Sequence, residues 1–182
     1  MSLILFLFIG LMGIFFVTVL KRPLINLLGE DNFLIFKLNN AGWFQNYWLA
    51  GILLFITNAI LFFSTALLIY LLSYFLIPYV HLLVMILAVI GSIFLWIIIN
   101  KTWQGTRKNR LKMATVGSSF YMILSLILIY MLVTLEPAYP GDDPFMRAIG
   151  LFMGIVVTTV AFISCFIFTG FSNKEEVNEA RF

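Results

Sequence analysis

Charge is scarce in this sequence. Asp, Glu, Lys and Arg make up 10% of its 182 residues, against about a quarter in soluble domains, and 63% are hydrophobic. A chain so composed cannot cover an apolar core with a solvated surface, which excludes a water-soluble globular domain. The mean hydropathy of +1.08 agrees. Cysteine is nearly missing too: Cys165 stands alone inside an apolar run, has no mate for an internal disulfide, and reads as a small packing residue. Histidine occurs once, at His81. There is no ligand-spaced metal motif, and neither a metal nor a cofactor is expected.

What the sequence has in abundance is long apolar runs. Within a bilayer each backbone polar group must be satisfied by a helix or a closed barrel. Barrel strands alternate apolar and polar residues, whereas these runs are apolar on every side for about 20 residues, the length of a spanning helix. The sequence predicts an all-α membrane protein, a single domain built as a polytopic bundle of five transmembrane helices plus an interfacial amphipathic segment.

The five spans are 2–20, 47–77, 81–99, 113–135 and 148–171. The first lacks the basic start and small-residue cleavage site of a signal peptide, so it is expected to stay attached. The second would be about 46 Å long as a helix, more than the roughly 30 Å hydrocarbon core, and must tilt, kink or end in the interface. Pro78 breaks it before the third. Segment 23–46 mixes Leu, Ile and Phe with isolated charges. It is expected to lie in the interface, with Trp43, Tyr47 and Trp48 at headgroup level, or alternatively to re-enter between the helices. A tail, 172–182, follows the last span.

Loop 100–112, "NKTWQGTRKNRLK", holds Lys101, Arg107, Lys108, Arg110 and Lys112, five of the eleven basic residues. With this loop in the cytoplasm, ten of the eleven fall inside and only Arg147 falls outside. That satisfies the positive-inside rule and predicts a multi-pass protein of the plasma (cell inner) membrane, N-terminus outside and C-terminus cytoplasmic. The Asn100-Lys101-Thr102 sequon then lies where no glycosylation occurs. The loop serves topology and contact with anionic lipid headgroups first, and a cytoplasmic protein partner second. It carries no nucleic-acid recognition motif, so nucleic acid is not expected as a partner.

No ionisable residue is expected near the bilayer centre, where such groups mark proton relays and ion paths. That pattern, an odd number of spans and the lack of inverted repeats weigh against a coupled transporter. Uncharged polar residues remain. Asn58 is the strongly polar side chain deep in the second span, beside Thr57 and on a stripe with Gly51 and Thr65. It either bonds a neighbouring helix or lines a pore. Gly150 and Gly154 have GxxxG spacing and continue through Thr158, while Ala114, Gly117, Ser118 and Ser125 form a similar stripe. Both stripes suit close helix packing, within the chain or between copies. At the outer face, His81, Asp142 and Asp143 offer groups for metal binding or acid–base work, against the simpler reading of a solvated acidic loop.

The leading expectation is therefore a non-catalytic component, an anchor, sensor or assembly subunit of a homo- or hetero-oligomeric membrane complex in contact with membrane lipids. A small channel lined by Asn58, Thr57 and Thr65 is the alternative. An enzyme acting on lipid or envelope substrates at the outer face is the third reading.

Overall fold

The computed structural model describes residues 41–75, 79–137 and 143–171, together with Met12, Phe15, Val19, Ile35 and Leu38. Four helices carry it: α1 (Tyr47–Tyr74), α2 (Val80–Thr102), α3 (Arg107–Val133) and α4 (Phe145–Gly170). No strand occurs among the described residues. Each helix is long and apolar enough to cross a membrane. The expected first span lies outside the described residues except for Met12, Phe15 and Val19, which are helical and exposed.

Local chemistry accounts for the helix ends. Asn46, in extended conformation, starts α1 by accepting the Trp48 N–H at 3.1 Å, the usual action of an Asn N-cap. Asp143 does similar work for α4, its Oδ1 accepting the Phe145 N–H at 2.9 Å. Tyr79 turns the chain into α2 at φ 66°, the left-handed region that L-residues other than Gly and Asn enter at a cost of roughly 1 kcal/mol. The helix α3 begins at Arg107, six residues earlier than expected, because Arg, Lys and Leu are good helix formers and Thr106 supplies the extended residue before them. The basic loop thus shrinks to Trp103–Thr106, and Arg107, Lys108, Arg110 and Lys112 ride on the first turns of a helix.

Contacts order the helices in a ring. The helix α3 packs on α1 and α4, and α2 closes the ring against the same two. The starts of α1 and α3 meet the ends of α2 and α4, as an up-and-down bundle requires. Lys112 stands over the Tyr47 ring, Gln45 bonds Thr102, and Asn100 bonds Phe171. The α1–α3 crossing is close because glycines allow it. A Cβ on Gly51 would stand 2.9 Å from the Cβ of Val116, and one on Gly117 would run into Leu54. Lipid gives helices no hydrophobic reason to associate, so such approach of backbones is a main source of their attraction.

Packing is uneven along the bundle. Every buried residue of α1 lies at or before Asn58, and every one of α2 at or after Trp96. In α3 none follows Ser125, and in α4 none precedes Thr158. The end bearing the basic residues is therefore a packed core, and the opposite half of each helix presents its apolar surface outward. Exposed aromatic residues gather at both ends: Trp43 and Trp48 at the basic end, Tyr70, Tyr74, Tyr79 and Tyr130 at the other. Along α1, Trp48 and Tyr70 stand about 33 Å apart at 1.5 Å per residue, close to the thickness of a hydrocarbon core.

The described end of segment 23–46 turns inward. Ile35 and Phe44 are buried, Leu38 packs against the core, and residues Gly42–Gln45 form a single 3-10 turn leading into α1. Trp43 faces out, but Phe44 meets Trp103 edge to face at 6.4 Å inside the bundle. The remainder of that segment lies outside the described residues.

Candidate functional site: a polar clasp at the basic end of the bundle

Two layers of polar side chains occupy the packed half. The deeper layer centres on Asn58 of α1, which is fully buried. Its Nδ2 donates to the Gly117 carbonyl of α3 at 3.2 Å and to Cys165 Sγ of α4 at 3.5 Å. Its Oδ1 accepts the indole N–H of Trp96 from α2 at 3.0 Å. One side chain therefore joins all four helices, with both amide hydrogens and the carbonyl engaged. Aromatic rings wall it in: Trp96 stands edge-on to Tyr121 at 6.3 Å and tilted against Phe168 at 6.1 Å.

The second layer is a set of exchanged helix caps. The last carbonyls of a helix have no partners of their own. At the end of α2, Arg110 from α3 donates through Nη1 to the Asn100 carbonyl at 3.3 Å and through Nη2 to the Trp103 carbonyl at 2.8 Å. Gln45 donates to the Thr102 carbonyl at 3.2 Å and accepts the Gln104 N–H at 3.1 Å. A guanidinium at a helix C-terminus also meets the negative end of the dipole. In turn, Asn100 Nδ2 donates to the carbonyls of Phe168 and Phe171, capping α4. The helix α3 thus caps α2, and α2 caps α4.

This arrangement corrects one expectation. Arg110, counted with the cytoplasmic lipid or partner contacts, is only 5% exposed and turned inward, because the orphan carbonyls of α2 attract its guanidinium. Lys101 is half-buried, and Arg107, Lys108 and Lys112 are exposed. The ammonium of Lys112 lies 5.3 Å from the Tyr47 ring centroid, within cation–π range.

The other expected residues fall as follows. Thr57 and Thr65 are half-buried, and their hydroxyls bond carbonyls of their own helix, Leu53 at 2.8 Å and Leu61 at 2.7 Å. Gly117 and Ser118 are buried at the α1–α3 crossing or beside it. Gly154 approaches Leu128 of α3, where a Cβ would stand 3.1 Å from Cδ1, and Thr158 is buried with its hydroxyl on the Gly154 carbonyl at 2.8 Å. Gly150 is exposed, and a Cβ there would meet nothing within 4 Å, so no close helix approach is seen at it among the described residues. His81 is half-buried in the first turn of α2 and Asp143 is engaged at the start of α4. No hydrogen bond joins the two among the described residues, and Asp142 lies outside them.

Trp96, Asn100 and Gln45 were not singled out by the sequence. Asn100 shows there only as part of a sequon, and its true signal is its place at the last turn of an apolar run, where a side-chain amide can reach a neighbour's carbonyls. Trp96 lies four residues before Asn100 on the same helix face. That spacing is the available sign that one face of α2 is polar and inward.

Four such helices and no strand among the described residues define a helical, multi-pass protein of membrane type. Comparison with protein families, with curated proteins and with solved structures finds no match.

Proposed function

We propose that this chain is a non-catalytic component of a membrane complex, an anchor or assembly subunit working beside other copies or other subunits. The observation that carries this reading is the use made of Asn58. The polar side chain deepest in the bundle has both amide hydrogens and one acceptor position of its carbonyl taken up by α2, α3 and α4, and it is fully buried. Such a group holds helices together and is shut off from a solute. What the chain offers to other molecules is the apolar surface of the loosely packed half, including the exposed Gly150 on α4, and the exposed cations Lys108 and Lys112 at the basic end. The charge distribution supports a plasma-membrane setting with that end in the cytoplasm and the N-terminus outside.

Purification in mild detergent, with crosslinking beforehand and native mass spectrometry afterwards, tests the proposal. The expected result is a defined oligomer or a stoichiometric membrane partner. Reconstituted liposomes give the opposing outcome: ion or solute flux from the purified chain, abolished by Asn58→Leu in protein that remains folded, would replace the subunit reading with that of a channel.

A further inference from the structure

The helix α2 changes character along its length. From Trp96 to Thr102 it is fixed on every side. Trp96 bonds Asn58, Asn100 bonds the end of α4, and the last carbonyls of α2 are taken by Arg110 and Gln45. From Val80 to Ile90 no residue is buried. Among the described residues, no hydrogen bond or ring contact joins that stretch to another helix. Its inner stripe, His81, Val84, Ala88 and Gly91, is only half-buried.

The neighbouring helices are held farther along the bundle. Gly154 of α4 approaches Leu128 of α3, and the hydroxyls of Ser125 and Thr159 stand 3.4 Å apart between the same two helices. Beyond the end of α3, Arg147 donates to the Glu136 carbonyl at 3.4 Å. Phe62 and Phe63 of α1 meet Phe120 of α3 edge to face at 5.9 and 6.2 Å. The outer part of α2 has no counterpart to these fastenings.

The change falls at Gly91–Ser92. Sharp bends in helices occur at Pro, at π-bulges and at Gly/Ser pairs. Gly is among the weakest helix formers. The Ser92 hydroxyl bonds the Ala88 carbonyl at 2.9 Å, a back-bond that bends helices. A Cβ on Gly91 would meet nothing within 4 Å, so no neighbour clamps the joint. The like pair in α3, Gly117–Ser118, is the contrast: Leu54 lies hard against Gly117, and Asn58 bonds its carbonyl. One pair is locked at a crossing, and the other stands free.

We propose that α2 is hinged at Gly91–Ser92, and that its arm, residues 80–90, swings away from α4 while Trp96–Thr102 stays in the clasp. Residues 75–79 tie the arm to α1, so its free side is the one facing α4. That tie can reach about 17 Å, against the roughly 8–10 Å between packed helices, and so permits the swing. A bend of about 20° in an arm about 17 Å long moves its tip by about 6 Å. The opening is lateral and faces lipid. It ends at the rings of Trp96 and Tyr121, which wall in Asn58, so the clasp stays closed. The hinge belongs to the single chain and is independent of membership in a complex.

The test uses the full chain in lipid nanodiscs, with nitroxide labels on cysteines replacing the exposed Leu83 of α2 and Met146 of α4. Cys165 is fully buried and stays unlabelled. Leu83 lies about 12 Å from Gly91 along the helix, so pulsed EPR should show a main distance with a shoulder about 4 Å longer. Gly91→Ala combined with Ser92→Ala should remove the shoulder and keep the main distance. The added Cβ of Gly91→Ala enters open space, so the variant keeps its fold. A second pair, Met131 of α3 with Met146, should show a single narrow distance. A shoulder that survives the double variant places the motion elsewhere than Gly91–Ser92. An equal shoulder between Met131 and Met146 means that α4 moves instead of α2. A single narrow distance from Leu83 in the parent means that the arm is fixed. Any of these three results overturns the hinge.

Discussion

Asn58 belongs to α1, donates to α3 and α4 and accepts from α2, so its removal is felt by every helix at once. Asn58→Leu leaves the Trp96 N–H without an acceptor in a dry interior, and an unmet buried donor costs about 1–3 kcal/mol. Thermal unfolding in detergent should show a lower midpoint for this variant. Adding Trp96→Phe removes the orphaned donor, so the double variant should lose less than the sum of the two singles. Strict additivity would mean that the pair is not coupled as drawn. Arg110 and Lys108 form a second contrast. Arg110→Met strips two carbonyls at the end of α2 of a charged partner and should cost about 1.5–3 kcal/mol. Lys108→Gln, on the exposed side of the same turn, should stay within about 0.5 kcal/mol of the parent. Removing Arg110 together with its basic neighbours would therefore confuse folding with binding.

At the scale of the helix, glycines decide which surfaces approach. Gly117→Ala drives a Cβ into Leu54 and should separate α1 from α3, at about the 1–3 kcal/mol typical of an overpacked core. Gly150→Leu enters open space and should leave the unfolding midpoint of the isolated chain unchanged. Loss of a crosslinked dimer in that variant alone would identify the face of α4 that meets another subunit. The two stripes look alike in sequence, since small residues recur every three or four positions in both, and spacing cannot say which one has a helix opposite it. Four of the expected spans were legible because a run of about 20 apolar residues leaves the backbone few alternatives in lipid. The early start of α3 was not, because counting Lys and Arg marks a stretch as extramembrane without saying whether it is helical there. Asn58 stood out as an amide in an apolar run, but its partners did not. Trp96 and Cys165 are unremarkable in hydropathy, and Gly117 contributes only a backbone carbonyl. Arg110 was misjudged because charge counting treats each cation as facing water.

Among the described residues, the polar clasp and the buried side chains of the four helices share one end, while the other half is held by half-buried stripes. Local stability follows contact density, so the two ends should differ in motion. Spin labels replacing Leu83 of α2 and Met146 of α4 should give a broader distance distribution than labels replacing Gln104 and Phe171. Equal widths would mean that lipid-facing surfaces restrain the far end as well as the clasp restrains the near one.

The reach of Asn58 has a consequence for how the chain is made. Its partners follow it by 38 residues at Trp96, 59 at Gly117 and 107 at Cys165. At about 5–20 residues per second, the last arrives some 5–20 s after Asn58 itself leaves the ribosome. Throughout that interval the amide waits in the insertion machinery or the bilayer with its set of bonds incomplete, and the carbonyls that Asn100 will cap do not yet exist. A ribosome that stalls before α4 leaves a product with an unsatisfied polar group in lipid, a state that membrane quality control can recognise. Completion of the fourth helix is thus also the moment at which the nascent chain ceases to look unfinished.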